Sequence, residues 1–281
     1  MASNAAYLDT RPSRGDRLAY HLRILRVIAV AEFKLKYAGS ALGYVWSVLK
    51  PLALFTMLYL VFGRVFHLGA ISRYYPLSLL IGIVFFNFFA DSTMLGMGSI
   101  VGRASLVRKM AFPRTIIPMA ATLTASMTLC INLTVIAAFV AYNRIVPRVT
   151  WLLVLPLMLE LYIFSLGIAL ILATLFVRMR DIGQVWELVL QLFFYASPII
   201  YPVGYLPPWA RTISFLSPFT QVLQDLRAVI LYRDIPGNRI TVATVFHGSA
   251  GRLLPLAVTA AVFAGGYLLL KHEEHWFAER A

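Results

Sequence analysis

The stretch FKLKYAGSALGYVWSVLKPL, residues 33–52, decides the fold. It carries lysines, two glycines four residues apart and a tryptophan, and then leads through a proline into a long apolar run. Lysines favour the cytoplasmic side of a membrane, glycines let helices pack closely, and tryptophan favours the lipid–water boundary. The stretch is therefore typical of a chain that enters a membrane.

The composition of the whole chain agrees with a membrane protein. Of 281 residues, 60% are hydrophobic and only 13% are charged. A net charge of +13 would favour a nucleic-acid partner in a soluble protein, but here the basic residues lie in short polar intervals between apolar runs. We read them as topology signals and expect no nucleic acid as a partner. Cys130, the single cysteine, lies inside an apolar run, so there is no disulfide framework.

Six apolar windows are candidates for membrane helices, because about 20 mostly apolar residues span the hydrocarbon layer. The fifth is short and ends in SPIIYP, where Pro198 and Pro202 would interrupt a helix. We predict an all-α integral membrane protein whose residues 1–281 form a single transmembrane domain. It has a cytoplasmic N-terminus (1–42), a six-span region (43–270) and a cytoplasmic tail (271–281). The six windows are 43–66, 77–97, 116–142, 151–177, 185–200 and 253–270.

The distribution of lysine and arginine predicts the orientation of the chain. Only Arg64, Arg73, Arg144 and Arg148 lie on the short flanks assigned to the outside, whereas most basic residues lie before the first window and in the opposite loops. Basic residues favour the cytoplasmic side. With an even number of spans, we expect both termini in the cytoplasm.

The first polar interval, residues 20–36, predicts an amphipathic helix on the cytoplasmic membrane face. Its basic residues either serve only as a topology anchor or also attract an anionic head group or a diphosphate. The residues concerned are Arg23, Arg26, Lys34 and Lys36. We expect Gly39 and Gly43 to let this element pack closely against a neighbouring helix.

The second polar interval, SLVRKMAFPRTIIP at residues 105–118, combines a small apolar face with basic residues, and Pro113 stands at a helix start. The pattern suits a short helix that docks onto a partner. The alternative is a plain basic loop that only sets topology.

Four segments together carry a family resemblance: residues 33–52, 106–118, 177–202 (VRMRDIGQVWELVLQLFFYASPIIYP) and 217–230 (SPFTQVLQDLRAVI). In this order they resemble signatures of the type-2 ATP-binding-cassette exporter permeases. The branch they resemble most exports O-antigen, capsule, teichoic acid and related cell-wall polysaccharides. The resemblance covers nearly the whole chain, from about residue 20 to the last window.

The resemblance implies a homodimeric permease in the bacterial cytoplasmic membrane that exports a polyprenyl-diphosphate-linked polysaccharide. Each copy would bind a separate ATP-binding subunit, giving two of each. The chain has no G-x-x-x-x-G-K-[ST] loop, so ATP and Mg would belong to that partner, and we expect no catalytic, cofactor or metal site in this chain. The segments SPIIYP and GYLPPW would form short re-entrant helices at the outer leaflet, before the last span.

The resemblance also implies the contacts with the ATPase. The main contact would be Arg103, Leu106, Val107, Arg108, Lys109, Met110, Phe112, Pro113 and Arg114, and the smaller one Arg178, Arg180 and Asp181. Asp181 has an alternative role, as an ion-pair partner of one of those two arginines.

A polysaccharide path needs aromatic side chains that stack on the apolar faces of sugars. Candidates are Phe85, Phe86, Phe88, Phe89, Phe193, Tyr195 and Tyr201, unless they simply pack against helices or lipid. Carboxylates inside apolar windows are costly unless paired or hydrated, so Asp91 and Glu160 are also channel-lining candidates. Glu187, nearer the cytoplasmic end, would pair with Arg178 or Arg180.

Other functions stay open at this point. A drug or lipid exporter of the same superfamily is a close alternative, and a proton-coupled transporter that uses the buried carboxylates is a further one. A membrane-bound glycosyl or acyl transferase has less support, because the sequence shows no nucleophile constellation. The tail KHEEHWF, with His272, Glu273 and His275, lacks the i, i+4 histidine pair of zinc proteases, so we expect a solvated helix end there.

Overall fold

The computed structural model describes residues 14–40, 42–70, 72–103, 113–232, 240–246 and 249–273. Within these ranges all regular structure is helical, and they contain no strand. The apolar runs thus satisfy their backbone hydrogen bonds internally, as a membrane requires. The helices are α1 (Arg14–Tyr37), α2 (Val45–Leu58), α3 (Tyr75–Gly102), α4 (Ile116–Tyr142), α5 (Val154–Arg178), α6 (Ile182–Ala196), α7 (Pro208–Leu216), α8 (Pro218–Arg227), the one-turn α9 (Val242–Val245) and α10 (Leu253–Glu273).

Shorter helical turns extend or connect these elements. A π-helical stretch, Tyr59–Val65, continues α2, and another, Ala228–Tyr232, continues α8. Turns of 3-10 helix precede α5 and α10, and two more stand alone in the connections. The 3-10 turns are Leu68–Ala70, Val149–Leu153, Val203–Tyr205 and Ser249–Arg252.

Five helices in the described part of the chain are long and apolar enough to cross a membrane. They are Val45–Val65, Tyr75–Gly102, Ile116–Tyr142, Val149–Arg178 and Leu253–Glu273. The fifth predicted window instead yields α6, whose 15 residues reach about 22 Å at 1.5 Å per residue. It is short because the backbone becomes extended at Ser197, the residue before Pro198, where a helix is disfavoured. The prediction of six windows therefore gives five long helices and one short one.

Helix α3 forms the centre of the bundle. It packs along α4 and α5, and α6 and α8 contact it from other sides. Most of its side chains are buried, including Phe85 and Phe89. Glycine permits a close crossing of α5 and α10, since a β-carbon on Gly167 would lie 2.8 Å from the backbone of Phe263.

The predicted N-terminal helix is confirmed, although its apolar residues do not gather on one face. Ala29 is buried where α1 packs on α4, and the Thr124 hydroxyl oxygen lies 3.2 Å from the Ala29 carbonyl oxygen. Leu22, Val27 and Leu35 are exposed, and only Val27 and Leu35 lie on other sides of the helix from Ala29. The strongly two-sided helix that the pattern indicated is therefore not seen.

Gly39 and Gly43 do not serve as packing sites, so that prediction is wrong. Both have a positive φ, +76° and +48°, which a glycine adopts without strain. A β-carbon on Gly39 would meet nothing within 4 Å, and one on Gly43 would meet only the Ser40 carbonyl at 4.0 Å. The two glycines shape the turn from α1 into α2.

Two short helices, α7 and α8, precede the last span, but the segments predicted to form them were wrong: SPIIYP forms no helix, and of GYLPPW only Pro208 and Trp209 lie in α7. Residues 197–200 form a buried turn, and the prolines that follow delay the helix until Pro208. Arg227 of α8 holds this turn in place. Its guanidinium donates hydrogen bonds to the carbonyls of Pro198 (2.6 Å), Ile199 (2.9 Å) and Ser78 of α3 (2.9 Å).

Candidate functional site

A cavity of about 330 Å³ lies between α1, α2, α3 and α4, and we call it the α1–α4 cavity. Three of its lining residues are charged: Lys36, Lys50 and Asp91. The Lys36 ammonium donates a hydrogen bond to a carboxylate oxygen of Asp91 at 2.8 Å, and the two side chains are 30% and 42% exposed. The polar lining is completed by Ser47, Asn87, Thr128 and Asn132, and the aromatic lining by Tyr37, Trp46 and Phe88.

Two residues with separate predicted roles meet in the α1–α4 cavity. Lys36 was expected to bind a head group and Asp91 to line a channel, and they form one ion pair. Lys50 was read only as a topology signal, although a lysine within an apolar run is a functional signal in its own right. The other head-group candidates, Arg23, Arg26 and Lys34, are exposed on α1 and do not line the cavity.

The main ATPase contact is described only at its two ends. Leu106, Val107, Arg108, Lys109, Met110 and Phe112 lie outside the described residues. Arg103, Pro113 and Arg114 lie at the ends of α3 and α4 that are nearest to α1.

Arg103 makes an internal contact that the sequence did not suggest. Its guanidinium pairs with the carboxylate of Glu32 on α1, and the Thr124 hydroxyl of α4 donates to the other oxygen of Glu32 at 3.0 Å. Burial lowers the pKa of the Arg103 guanidinium, so loss of Glu32 would leave a poorly solvated charge. Glu32 therefore connects α1 to α3 and to α4, the two helices on either side of the segment 103–114.

The smaller predicted ATPase contact, Arg178 to Asp181, lies where α5 ends and α6 begins. Arg178 pairs with Glu273 at the end of α10, 2.6 Å away, and Arg180 lies over the ring of Phe176 at 5.3 Å. Among the described residues, no ion pair joins Asp181 or Glu187 to either arginine. The expected pairing of Glu187 is thus wrong, because Arg178 pairs with Glu273 instead. Of the other tail candidates, His272 is exposed and His275 lies outside the described residues.

Most of the aromatic candidates pack inside the protomer. Phe86 and Phe89 contact Phe193 and Phe219, with ring centroids 5.3–6.3 Å apart across the cluster. Phe85 is only 1% exposed. This favours the alternative of helix packing for the buried phenylalanines.

Three aromatic candidates have different surroundings. Phe88 lines the α1–α4 cavity, although it is buried. Tyr195 is exposed on α6, and the Tyr201 hydroxyl donates to the carbonyls of Tyr195 (3.2 Å) and Ala196 (3.0 Å), which closes the end of α6.

Glu160 lies in a second cavity, of about 260 Å³, between α5, α8 and the start of α10. It shares this cavity with Gln221, Asp225 and Arg252, and the Gln221 amide donates to an oxygen of Asp225 at 2.8 Å. Sequence reasoning missed Gln221 and Asp225. Their signal was the polar i, i+4 spacing within SPFTQVLQDLRAVI, which places both on one face of a helix.

The long apolar helices, with charged groups enclosed between them, define a multi-pass helical membrane protein of the class that includes transport subunits. The chain belongs to the ABC-2 type transporter family, whose model matches residues 23–231. This confirms the family that the four sequence segments predicted.

Relatives of the chain carry names from one kind of export system. An "O-antigen export system permease protein RfbA" of Klebsiella pneumoniae is 28% identical over 215 residues, which are 76% of this chain and 82% of the relative. A protein of the same name from Myxococcus xanthus is 27% identical over 226 residues, 78% of this chain and 85% of the relative.

Proposed function

We propose that this chain is the permease subunit of an ATP-driven exporter that moves a polyprenyl-diphosphate-linked polysaccharide of the O-antigen type across the cytoplasmic membrane. The observation that carries the proposal is the likeness to O-antigen export permeases over 76% of the chain. A half-buried cavity with basic groups, open between apolar helices, supports it because a diphosphate head group needs such a site.

The working assembly is two copies of this chain and two copies of a separate ATPase. The predicted ATPase contacts support this arrangement, since Arg103, Arg114 and Arg178 all lie at one end of the bundle, where α3, α5 and α10 end and α4 begins. That end also carries the basic helix α1, which agrees with a cytoplasmic location for it and for both termini. In this assembly α6 acts as a short sixth span.

Coupling starts at the segment 103–114, on which closure of the ATPase subunits pushes. The Arg103–Glu32 pair transmits that displacement to α1, and α1 reaches the α1–α4 cavity through Lys36. Basic residues of α1, namely Arg23, Arg26, Lys34 and Lys36, attract the lipid diphosphate. The glycan then passes between the two protomers.

The test is co-purification with the ATP-binding protein encoded nearest to this chain, followed by ATPase assays with and without polyprenyl-linked glycan. We expect a complex of two copies each whose ATP turnover changes when the glycan is present. If ATP turnover responds to a drug or a simple lipid and not to the glycan, the chain is part of a drug or lipid exporter and the proposal is wrong. Activity driven by a proton gradient without an ATPase would contradict the proposal altogether.

A further inference from the structure

We propose that the α1–α4 cavity binds the diphosphate of a membrane-anchored lipid through Lys36 and Lys50, and that Asp91 is a built-in counter-ion which the diphosphate displaces. The nature of the lipid rests on the proposed function. The site itself rests on the charges, contacts and shape of the cavity.

The charges point to an anionic ligand. Lys50 lies in α2 and Asp91 in α3, so two charged groups stand within apolar spans, where they are costly unless paired or hydrated. With Lys36 from α1, the cavity holds two positive charges and one negative charge. The net charge of this set is therefore positive, and ammonium groups bind the oxygens of a diphosphate.

The shape of the cavity suits a head group with an apolar chain. Lys36 comes from α1 and Lys50 from α2, so basic residues line the cavity on two elements. Side chains of Leu54, Val84 and Phe88 form an apolar wall beside them. A volume of about 330 Å³ accommodates a diphosphate together with the first atoms that it links.

The Lys36–Asp91 contact gives the Lys36 ammonium a counter-ion when no ligand is bound. The pair, 2.8 Å apart, is partly exposed on both sides, and ion pairs of that kind contribute little to stability. A diphosphate, with more negative charge than one carboxylate, therefore displaces Asp91 from Lys36 at low cost. Asp91 competes with the ligand and thereby favours multiply charged anions over singly charged ones.

The test measures binding to the full chain in nanodiscs of zwitterionic lipid, with polyprenyl diphosphate as the probe and polyprenol, which lacks phosphate, as the reference. We expect Lys36→Gln and Lys50→Gln each to weaken probe binding by about fivefold, the effect of one basic group on an anionic lipid. Asp91→Asn is expected to tighten binding by about the same factor, because the competing carboxylate is gone. Lys271→Gln is the matched control, since Lys271 is exposed at the end of α10 outside the cavity, and we expect no change there.

The expected gain of affinity in Asp91→Asn distinguishes the proposal from misfolding, because a misfolded protein loses affinity for the probe and does not gain it. Weaker binding by Asp91→Asn, or equal losses for Lys271→Gln and Lys36→Gln, would overturn the proposal. If inorganic diphosphate alone binds as tightly as the lipid, a soluble anion is the ligand and the lipid assignment is overturned.

Probe binding tests the site, whereas glycan export tests the proposed function, so the two proposals can be overturned independently. A chain that binds the probe as expected but exports no glycan with its ATPase contradicts the proposed function and leaves the site intact. Normal glycan export together with unchanged probe binding in the Lys36→Gln and Lys50→Gln variants overturns the site alone.

Discussion

The burial and the partners of a charged residue in this bundle determine whether it can exchange its partner or only stabilises the fold. Asp91 is partly exposed and paired with a lysine, so it is exchangeable, whereas Arg227 is 2% exposed and donates to three backbone carbonyls. Buried carbonyls that lose their donor are costly because no water replaces it. Arg227 is therefore a structural residue.

Replacement of Arg227 by methionine is expected to destabilise the fold by about 3 kcal/mol, since charged hydrogen bonds to the turn at residues 197–200 and to α3 are lost. The measurement is the apparent Tm of the purified chain in detergent. Arg211→Met is the control: Arg211 also donates to carbonyls, those of Gly204 and Leu206, but it is more exposed, and its loss should lower Tm far less. Equal shifts for both variants would contradict the role of Arg227.

Replacement of Gly167 by alanine is expected to separate α5 and α10, because the new β-carbon would lie 2.8 Å from the backbone of Phe263. The apparent Tm should fall, by an amount corresponding to about 1–3 kcal/mol. Gly265→Ala on α10 meets nothing within 4 Å and serves as the matched control, with an unchanged or slightly higher Tm. A neutral result for Gly167→Ala would show that the two helices can move apart freely.

Among the elements, α1 holds a special position because polar contacts fix it to three parts of the bundle. Glu32 pairs with Arg103 at the end of α3 and accepts from Thr124 of α4, and Lys36 pairs with Asp91 of α3. These contacts lie on both sides of the segment 103–114. A push on that segment therefore reaches α1 through charged groups as well as through packing.

Glu32→Gln is expected to weaken coupling between ATP hydrolysis and glycan, because the variant keeps an acceptor for Thr124 but removes the charge that faces Arg103. The yield of the complex with the ATPase should stay unchanged, while the change in ATP turnover caused by the glycan becomes at least about threefold smaller, the effect of a coupling energy near 1 kcal/mol. Glu187→Gln, at an exposed position of α6, is the control and should behave like the unmodified chain. A normal response in Glu32→Gln would remove α1 from the coupling route.

Charge reversal at Arg108 and Lys109 tests the segment 103–114 itself. We expect lower yield of the ATPase complex, because basic residues at the edge of an interface would then repel the groups that they attract. Co-purification at matched expression measures this, with reversal of Arg23 and Arg26 on α1 as the control. Unchanged complex yield and turnover would exclude this segment as the main ATPase contact.

The sequence predicted the elements better than it predicted their contacts. Apolar length alone identified the five long helices, and prolines indicated the short α6 and the broken structure after it. Pairs such as Lys36–Asp91 stay hidden, because the two residues are 55 positions apart and only tertiary packing brings them together. The predicted packing role of Gly39 and Gly43 is wrong because glycine serves both close packing and a positive φ, and the sequence does not distinguish these uses.

At the scale of the whole molecule, the α1–α4 cavity and the cavity around Glu160 lie in different parts of the bundle. The α1–α4 cavity lies beside α1, whereas the cavity around Glu160 and Asp225 lies near the start of α10. Between them, α3 and its buried phenylalanines form a packed, apolar centre. Among the described residues, that centre separates these two cavities, which agrees with the glycan route between two protomers that we propose.

Export of a lipid-linked polysaccharide with energy from a partner ATPase is tested most directly by transport in vesicles that contain the reconstituted complex. The measurement is ATP-dependent transfer of a labelled polyprenyl-diphosphate-linked O-antigen glycan across the vesicle membrane. We expect the glycan to become accessible to a glycan-cleaving enzyme on the far side only when ATP is present. Glycan that stays inaccessible, although the complex is intact and hydrolyses ATP, would show that the proposed function is wrong.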